Sequence, residues 1–510
     1  MKVLPCKWVF VIKTDSDGVP IRFKARLVVG GHRQVEGIDF HHTYAPVSRM
    51  ATIRTMFAVS ANRGWKVHQL DVTTAFLHGK IDTDVYMMQP PGFVDGVNRV
   101  CKLQKTLYGL KQAPRAWYIT LKNALATLGF VPVTADSSFW LRKQDDVCVY
   151  LTSVVDDMLV VSENEQLTLD IVEKILKIFP GRHCGIVEHF NGMKVTWFPE
   201  SHSVVLTQPG HIEKVLKEFK EHIDPVPPMS LPVKGGLRLC KTGTSDEPNS
   251  ELLDTTVFHF RSLLGAVLYP AVCTRPDIMF IAAQLSKYSN APTVAHWHVL
   301  LRVLSYLRAT LHWGISLGHM TAIDKCWVKN RPSEPAAVAY ADANHGTGID
   351  DKRSITGLII HVYGGPVSWA SRTQSVTSTS TTESEFRALS EVSREALWLA
   401  KIVRLFGIPS RPFLIRGDNM GAIHAISNHC YTRHTKHIEI HHDFMRDRVM
   451  EGHLDYQHIK GTDNPADVLT KALDKHKFQQ CRSAIGMVCL DPVKHVVLKD
   501  GHSPKFSISQ

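Results

Sequence analysis

Cysteine is scarce, 10 in 510 residues, and no two stand in a CxxC pair. That leaves neither a zinc ribbon nor a disulfide framework as the organising principle, and points to reduced thiols inside a cell. Long apolar runs are missing too. The most apolar stretch, LLGAVLYPAVC at 263–273, is too short for a membrane span and is broken by Pro270. The opening MKVLPCKWVFVIK has neither the apolar core nor the small-residue cleavage site of a secretory signal. Internal repeats, coiled-coil registers and low-complexity tracts are also absent, so a solenoid or fibrous architecture is excluded.

What is present reads as a globular chain, 44% hydrophobic and 21% charged. Its length exceeds what one core can organise, so two to four domains are expected. The 59 Lys+Arg against 48 Asp+Glu leave a net charge of +11, an excess that suits a polyanionic partner. From residue 6 to about 220, short β-branched runs alternate with amphipathic helices. KWVFVIKTDSDGVPIRFKARLVV reads as a hairpin about an Asp-Ser-Asp-Gly turn. DPVPPMSLPVKGG (224–236) and the polar KTGTSDEPNS after it read as a linker, and KNRPSEPA (329–336) as a second. Between them lie helices such as AHWHVLLRVLSYLRATL, and beyond the second linker a β/α unit runs to about 475.

Two sets of carboxylates stand out. In LTSVVDDMLVVS (151–162), Asp156 and Asp157 interrupt two apolar runs that would meet as a hairpin, which carries both acids to its tip. Asp71 ends the strand-like VHQL and converges with the pair if the two strands are sheet neighbours. Two or three such carboxylates can hold two Mg²⁺ ions for in-line phosphoryl transfer. In the second set, AVAYADANH projects Asp342 from a strand, and TTESEFRALSEVSREALWLAKIVRLFG begins a helix with Glu383 in its first turn. FLIRGDNMGAIHAI runs a strand into Asp418, and Asn464 caps a turn that carries Asp467. His437 and His441 stand i,i+4, a spacing that can bind zinc, but with no HExxH glutamate or third ligand beside them. Solvated or substrate-facing histidines are the simpler reading.

KWVFVIK…FKARLVV, EGIDFHHTYAPVSRMATIR, LDVTTAFLHG, VYMMQPPGF, LYGLKQAPRAWY and VVDDMLV follow one another in an order that resembles the reverse transcriptase of copia-class LTR retrotransposons. TESEF, GDNMGAI, HTKHIEIHHDFMRD and PADVLTK are similar to the ribonuclease H that follows it in that family. The resemblance implies an α+β multidomain fold: a palm and fingers over 1–223, a linker over 224–250, a helical thumb or connection segment over 251–328, a ribonuclease-H-like α/β domain over 337–475 and a polar tail over 476–510. It also implies that Asp71, Asp156 and Asp157 are the polymerase metal ligands, with Lys24 and Arg26 meeting the incoming triphosphate and Gln112 lining the template and nucleotide pocket. FNGMKV (190–195) falls where the family has its primer-grip hairpin. Asp342, Glu383, Asp418 and Asp467 would be the nuclease ligands, with two Mg²⁺ (or Mn²⁺) ions in each site.

The implied partners are an RNA template, a DNA primer, deoxynucleoside triphosphates and an RNA–DNA hybrid, together with integrase and capsid products of the same polyprotein. No membrane is implied, and the setting is intracellular, in a cytoplasmic virus-like particle or the nucleus. Some positions depart from the pattern: Val154 where an aromatic normally precedes the acidic pair, Thr73 and Gly30 where lysines are usual, and Asn344 and His345 after Asp342. With the chain opening at the fingers hairpin, a polyprotein fragment is one expectation. A decayed, inactive copy that binds nucleic acid nonspecifically is the other.

Overall fold

The computed structural model describes residues 2–14, 20–318, 335–427 and 439–490. The Lys329–Glu334 part of the expected second linker, His437 and the last twenty residues lie outside them. The chain divides into two compact units, residues 1–49 with 65–187, and residues 50–64 with 188–510.

The first unit is built on a six-stranded sheet in the order Gly181–Ile186, His68–Val72, Asp157–Val161, Val147–Val154, Asp136–Gln144, Val131–Val133, with antiparallel neighbours throughout. Its strands are the β-branched runs of the sequence, and the helices Ala113–Thr127 and Glu165–Ile178 supply a covering layer. Trp117, Leu121 and Leu125 recur every four residues along one helix, and Ile171, Val172 and Ile175 line one side of the other. They pack with Leu70, Val72, Trp140, Leu151 and Met158 of the sheet in one core. Each aliphatic side chain removed from water there contributes about 1.5–3 kcal/mol. Asn164 caps the second helix by accepting from the Leu167 N–H at 3.1 Å. The expected hairpin is present as Cys6–Thr14 against Pro20–Val29.

The second unit holds two five-stranded sheets. One runs His189–Phe190, Met193–Phe198, Ser203–Thr207, Trp313–Gly318, Met487–Cys489. The other has the order Gly365–Thr373, Ile355–Val362, Ala337–Asn344, Phe413–Gly417, Leu454–His458, its first three strands antiparallel and its last two parallel to the centre. The helix Thr381–Leu405 lies on this sheet through Phe386, Leu389, Val392, Ala396 and Val403, all buried.

Three expected boundaries are corrected. The helix Met50–Arg63 and everything after residue 187 belong to the second unit, not to a palm ending at 223. The physical reason is visible at Arg54, 4% exposed, whose guanidinium donates to the carbonyls of Val367, Val272 and Cys273 and lies 3.7 Å from the Trp369 ring centre. The 224–250 segment is partly ordered by pairing, with Leu239–Cys240 against Gly243–Thr244. The 476–510 tail is not uniformly loose either. Lys475–Ala484 is a helix capped by Asp474, and Met487–Cys489 pairs with Trp313–Gly318 because Met487 and Val488 are apolar residues that the sheet buries.

Candidate active sites

The antiparallel register sets Asp71 directly opposite Asp157 on neighbouring central strands of the first unit. Paired residues of an antiparallel ladder project from the same face, so the register alone brings these carboxylates together. Asp156 occupies the turn between the strands, where its carbonyl accepts from the Val72 N–H at 2.9 Å. Val155 in the same turn has φ 60°, a left-handed conformation that a β-branched residue adopts only under constraint. The constraint includes Trp117, whose indole N–H donates to the Val155 carbonyl at 2.7 Å. Burial pushes the Asp157 carboxyl above the usual carboxylate range; the Gln69 amide donates to it at 2.8 Å and opposes the shift, while Asp71 and Asp156 add to it. Asp71 and Asp157 thus share a register position with Asp156 in the adjoining turn, but the carboxylate oxygens of the three do not all come within 4.8 Å of one another.

Lys24 and Arg26 alternate with Phe23, Ala25 and Leu27 on the strand Pro20–Val29, so the two cations share one face. Arg26 also lies over the Tyr108 ring at 5.5 Å. Gln112 corrects the expectation of a pocket-lining side chain. It is 3% exposed, its amide nitrogen donates to the Asp39 carbonyl at 2.9 Å, and its oxygen accepts from Gln34 at 2.9 Å. Those bonds tie the loop before the helix Ala113–Thr127 to the segment around residues 34–39. FNGMKV does form a hairpin, His189–Phe190 against Met193–Phe198, with Asn191 and Gly192 both at positive φ in its turn.

In the second unit, Asp342 on the central strand, Asp418 just past the end of a parallel neighbour and Glu385 on the long helix bring one carboxylate oxygen each within 4.8 Å of one another. Among the described residues no other His, Cys, Asp or Glu trio is so close. Glu385 is the residue that the sequence reading missed. It precedes Leu389, Val392 and Ala396 by four, seven and eleven positions, in phase with the helix face that meets the sheet, and that phase was the available signal. Glu383 lies off that face. Its carboxylate accepts from the Thr379 N–H at 2.7 Å and from Arg387 at 2.9 and 3.1 Å, fastening the helix start. The structure thus places Glu383 at the helix start, outside the trio that the expected set of ligands would have had it join.

Asp467 lies on a 3-10 turn, Pro465–Leu469, capped as expected by Asn464. Its two oxygens are engaged by Lys471 at 2.7 Å and Lys477 at 3.1 Å, and Lys471 also reaches Asp342 at 3.6 Å. Thr470 donates a hydrogen bond to Asp342. Burial, reinforced by neighbouring acids, pushes Asp342 up to about 7 and Glu385 up to about 9. Asp418 is raised too, by burial first and then by Asp467. Such shifts mark clustered anions short of positive charge. All three ligand atoms are hard oxygens, the donor set that Mg²⁺ and Mn²⁺ prefer, so the residues fit such an ion. His441 is not part of this group: its Nδ1 lies 2.8 Å from the Ser390 hydroxyl.

An antiparallel sheet with an acidic hairpin and a five-stranded mixed sheet with carboxylates around its strand ends make this an α+β chain of more than one domain. Residues 1–230 match the reverse transcriptase (RNA-dependent DNA polymerase) family. The chain is 34% identical, over 95% of its length and 36% of the relative's, to the retrovirus-related Pol polyprotein from transposon TNT 1-94 of Nicotiana tabacum. Identity is again 34% to the corresponding polyprotein from transposon RE1 of Arabidopsis thaliana, over 96% of this chain and 32% of that one. A foamy viral protease-reverse transcriptase, solved in complex with dsDNA, aligns over 89% of this chain and 77% of its own at 13% identity, with a TM-score of 0.44. The chain is thus similar to copia-type transposon Pol polyproteins, and it spans about a third of the length of these two relatives. No helix among its described residues is long and apolar enough to cross a membrane.

Proposed function

We propose that this chain is the RNA-directed DNA polymerase of a retrotransposon with its linked ribonuclease H, acting inside the cell in a virus-like particle or the nucleus. The observation that carries the reading is the presence, in one chain of reverse transcriptase type, of two separate carboxylate groups at strand ends: Asp71 opposite Asp157, and Asp342 with Glu385 and Asp418. Asp71, Asp156 and Asp157 would hold the polymerase ions. Asp342, Glu385 and Asp418, with Asp467 beside them, would hold those of the nuclease. Divalent ions held there would supply activation of the attacking oxygen and neutralisation of charge in the in-line displacement.

The residues of the chain do the rest. Gln69 fixes the orientation of Asp157, and Trp117 holds the turn that presents Asp156. Thr470 orients Asp342, and Lys471 neutralises part of the nuclease cluster until metal enters. Lys24 and Arg26 provide charge for a triphosphate, and an RNA template, a DNA primer and an RNA–DNA hybrid are the polymeric substrates.

The test is a pair of variants assayed with Mg²⁺ on a primed RNA template and on a labelled hybrid. Asp157→Asn should abolish primer extension and spare hybrid cleavage, and Asp342→Asn should do the reverse. Loss of both activities in either variant, with the fold intact, refutes two separate sites. A folded parent chain with neither activity establishes instead an inactive remnant that binds nucleic acid nonspecifically.

A further inference from the structure

A groove of about 590 Å³ in the second unit opens beside the nuclease carboxylates and, Lys471 apart, takes no part in the chemistry assigned above. Three stretches far apart in sequence form its walls: residues 236–241, the end of the helix Met279–Ser286 with the residues after it, and the loop from Asn344 to Ile355. Lys471, whose ammonium lies 2.7 Å from Asp467 and 3.6 Å from Asp342, closes one end. The groove is therefore continuous with the cluster, and Asn344 in its wall is two residues from Asp342 on the same strand.

Its lining is strongly basic. Arg238, Lys241, Lys287, Arg353 and Lys471 face two acids, Asp350 and Asp351. Asp350 is already spoken for, since both of its oxygens accept from the Lys241 N–H at 3.0 Å and one also accepts from the Tyr288 hydroxyl at 3.0 Å. Asp351 reaches the Arg353 guanidinium only at 3.9 Å. A second observation is independent of charge. Gln284 lines the groove, is 9% exposed, and its amide nitrogen has no hydrogen-bond partner. That nitrogen is closed off from solvent, and a turn of the side chain toward a ligand acceptor in the groove would recover the about 1–3 kcal/mol that an unpaired buried donor costs. Burial also pushes the Lys287 ammonium below its ordinary range, as expected for a cation set into a cleft rather than on an open face. Leu239, Phe280 and Ile281 provide an apolar floor.

We propose that this groove seats the sugar–phosphate backbone of the nucleic-acid strand lying across the nuclease centre, with Arg238, Lys287 and Arg353 on its phosphates and the Gln284 amide donating to a backbone oxygen. The inference rests on the nuclease reading for the strand's direction of approach, but its binding chemistry stands apart from cleavage. Several cations in a row, an amide donor and an apolar floor suit a phosphodiester chain. Continuity with the carboxylates favours a polymer over a free nucleotide, because a strand cut at Asp342 must run on past Lys471.

The experiment uses the full chain and a short fluorescent RNA–DNA hybrid, read by anisotropy without divalent metal and by steady-state cleavage with Mg²⁺, over a range of KCl. The triple variant Arg238→Ala/Lys287→Ala/Arg353→Ala should raise KM and Kd about tenfold or more at moderate salt, with kcat within about twofold. Each lost phosphate contact should make the log–log salt dependence shallower by about 0.7–0.9. Gln284→Leu should weaken binding several-fold without changing the salt slope, because it removes a donor and no charge. Lys287→Ala alone serves if the triple variant does not fold, and Lys287→Arg should restore the slope. Parent-like Kd, KM and slope in the triple variant, with hybrid cleavage intact, overturn the groove and leave the nuclease reading standing. Groove-dependent binding without cleavage in the parent overturns the nuclease reading and leaves the groove. Displacement of the hybrid by AMP at concentrations comparable to the hybrid's own Kd overturns the polymer assignment in favour of a free-nucleotide site.

Discussion

Glu385→Gln and Glu383→Gln differ by two positions on one helix and should have opposite consequences. Glu385 contributes one of the three oxygens that meet within 4.8 Å, and its carboxyl is pushed up to about 9 by burial and by Asp342 and Asp418. Replacing it with a neutral amide removes a ligand and relieves repulsion at once. Partners that merely orient a metal ligand are worth about 10–100-fold in affinity or activity, so loss of the ligand itself should cost at least about 100-fold in hybrid cleavage. Thermal stability without metal should change little near neutral pH, because a carboxyl raised to about 9 is already uncharged there and glutamine has nearly its shape.

Glu383→Gln removes no oxygen from the cluster. It weakens bonds to Thr379 and a pair with Arg387 whose side chains are 7% and 16% exposed. Charge-assisted hydrogen bonds contribute about 1.5–3 kcal/mol each, and glutamine keeps part of them, so the second unit should lose about 1–2 kcal/mol. Cleavage by the folded fraction should stay within about threefold. Hybrid cleavage, differential scanning calorimetry and Mn²⁺ binding, each run on both variants, separate the roles. Cleavage abolished by Glu383→Gln in a folded chain, alongside an active Glu385→Gln, would refute the assignment.

Other expectations follow from the same sites. Asp342 and Glu385 are raised in the fold, so folding retains protons there that the unfolded chain releases. The contribution of these two groups to metal-free stability should accordingly be complete below about pH 4 and be lost as pH rises through about 7 and 9. Melting with and without Mg²⁺ checks this: the ion should raise the transition more at about pH 8.5 than at about pH 6, and equal increments count against it. Gln112→Ala leaves the Gln34 amide and the Asp39 carbonyl short of a partner and should destabilise the first unit by about 1–3 kcal/mol, seen in urea titrations. If the variant instead melts like the parent and only KM for template rises, the buried-anchor account of Gln112 is wrong. With Val154 in place of an aromatic beside the acidic pair, hybrid cleavage should outpace primer extension, and Val154→Tyr should raise extension alone. Robust extension by the parent without cleavage reverses that ranking.

The sequence disclosed most where local pattern and tertiary contact agree. The apolar runs flanking Asp156 and Asp157 formed the hairpin they suggested, and the spacing from Phe386 to Val403 named the buried face of its helix. It misled where two signals competed. A glutamate in a first helical turn is explained by the helix dipole alone, and that explanation drew attention to Glu383, although helix phase pointed to Glu385. Gln112 sits in a motif associated with template contact, yet burial is a property of the packed chain and not of seven neighbouring letters. The polar character of residues 476–490 hid a strand because pairing there is decided by a partner some 170 residues away.

The helix Met50–Arg63 has a consequence for how this protein can be made and divided. It belongs to a unit that also includes the strand Met487–Cys489, so the ribosome must deliver over four hundred further residues after it before its environment is complete. Eleven of its fourteen residues are buried in the finished chain, including the Arg54 guanidinium. Until then that apolar surface must be shielded by transient contacts or chaperones. A fragment ending near residue 187 would carry the whole acidic hairpin and still be a poor object to purify, since it includes a helix whose burial partners were left behind. The smallest piece that keeps both the acidic hairpin and this helix's burial partners is, on this geometry, nearly the whole chain.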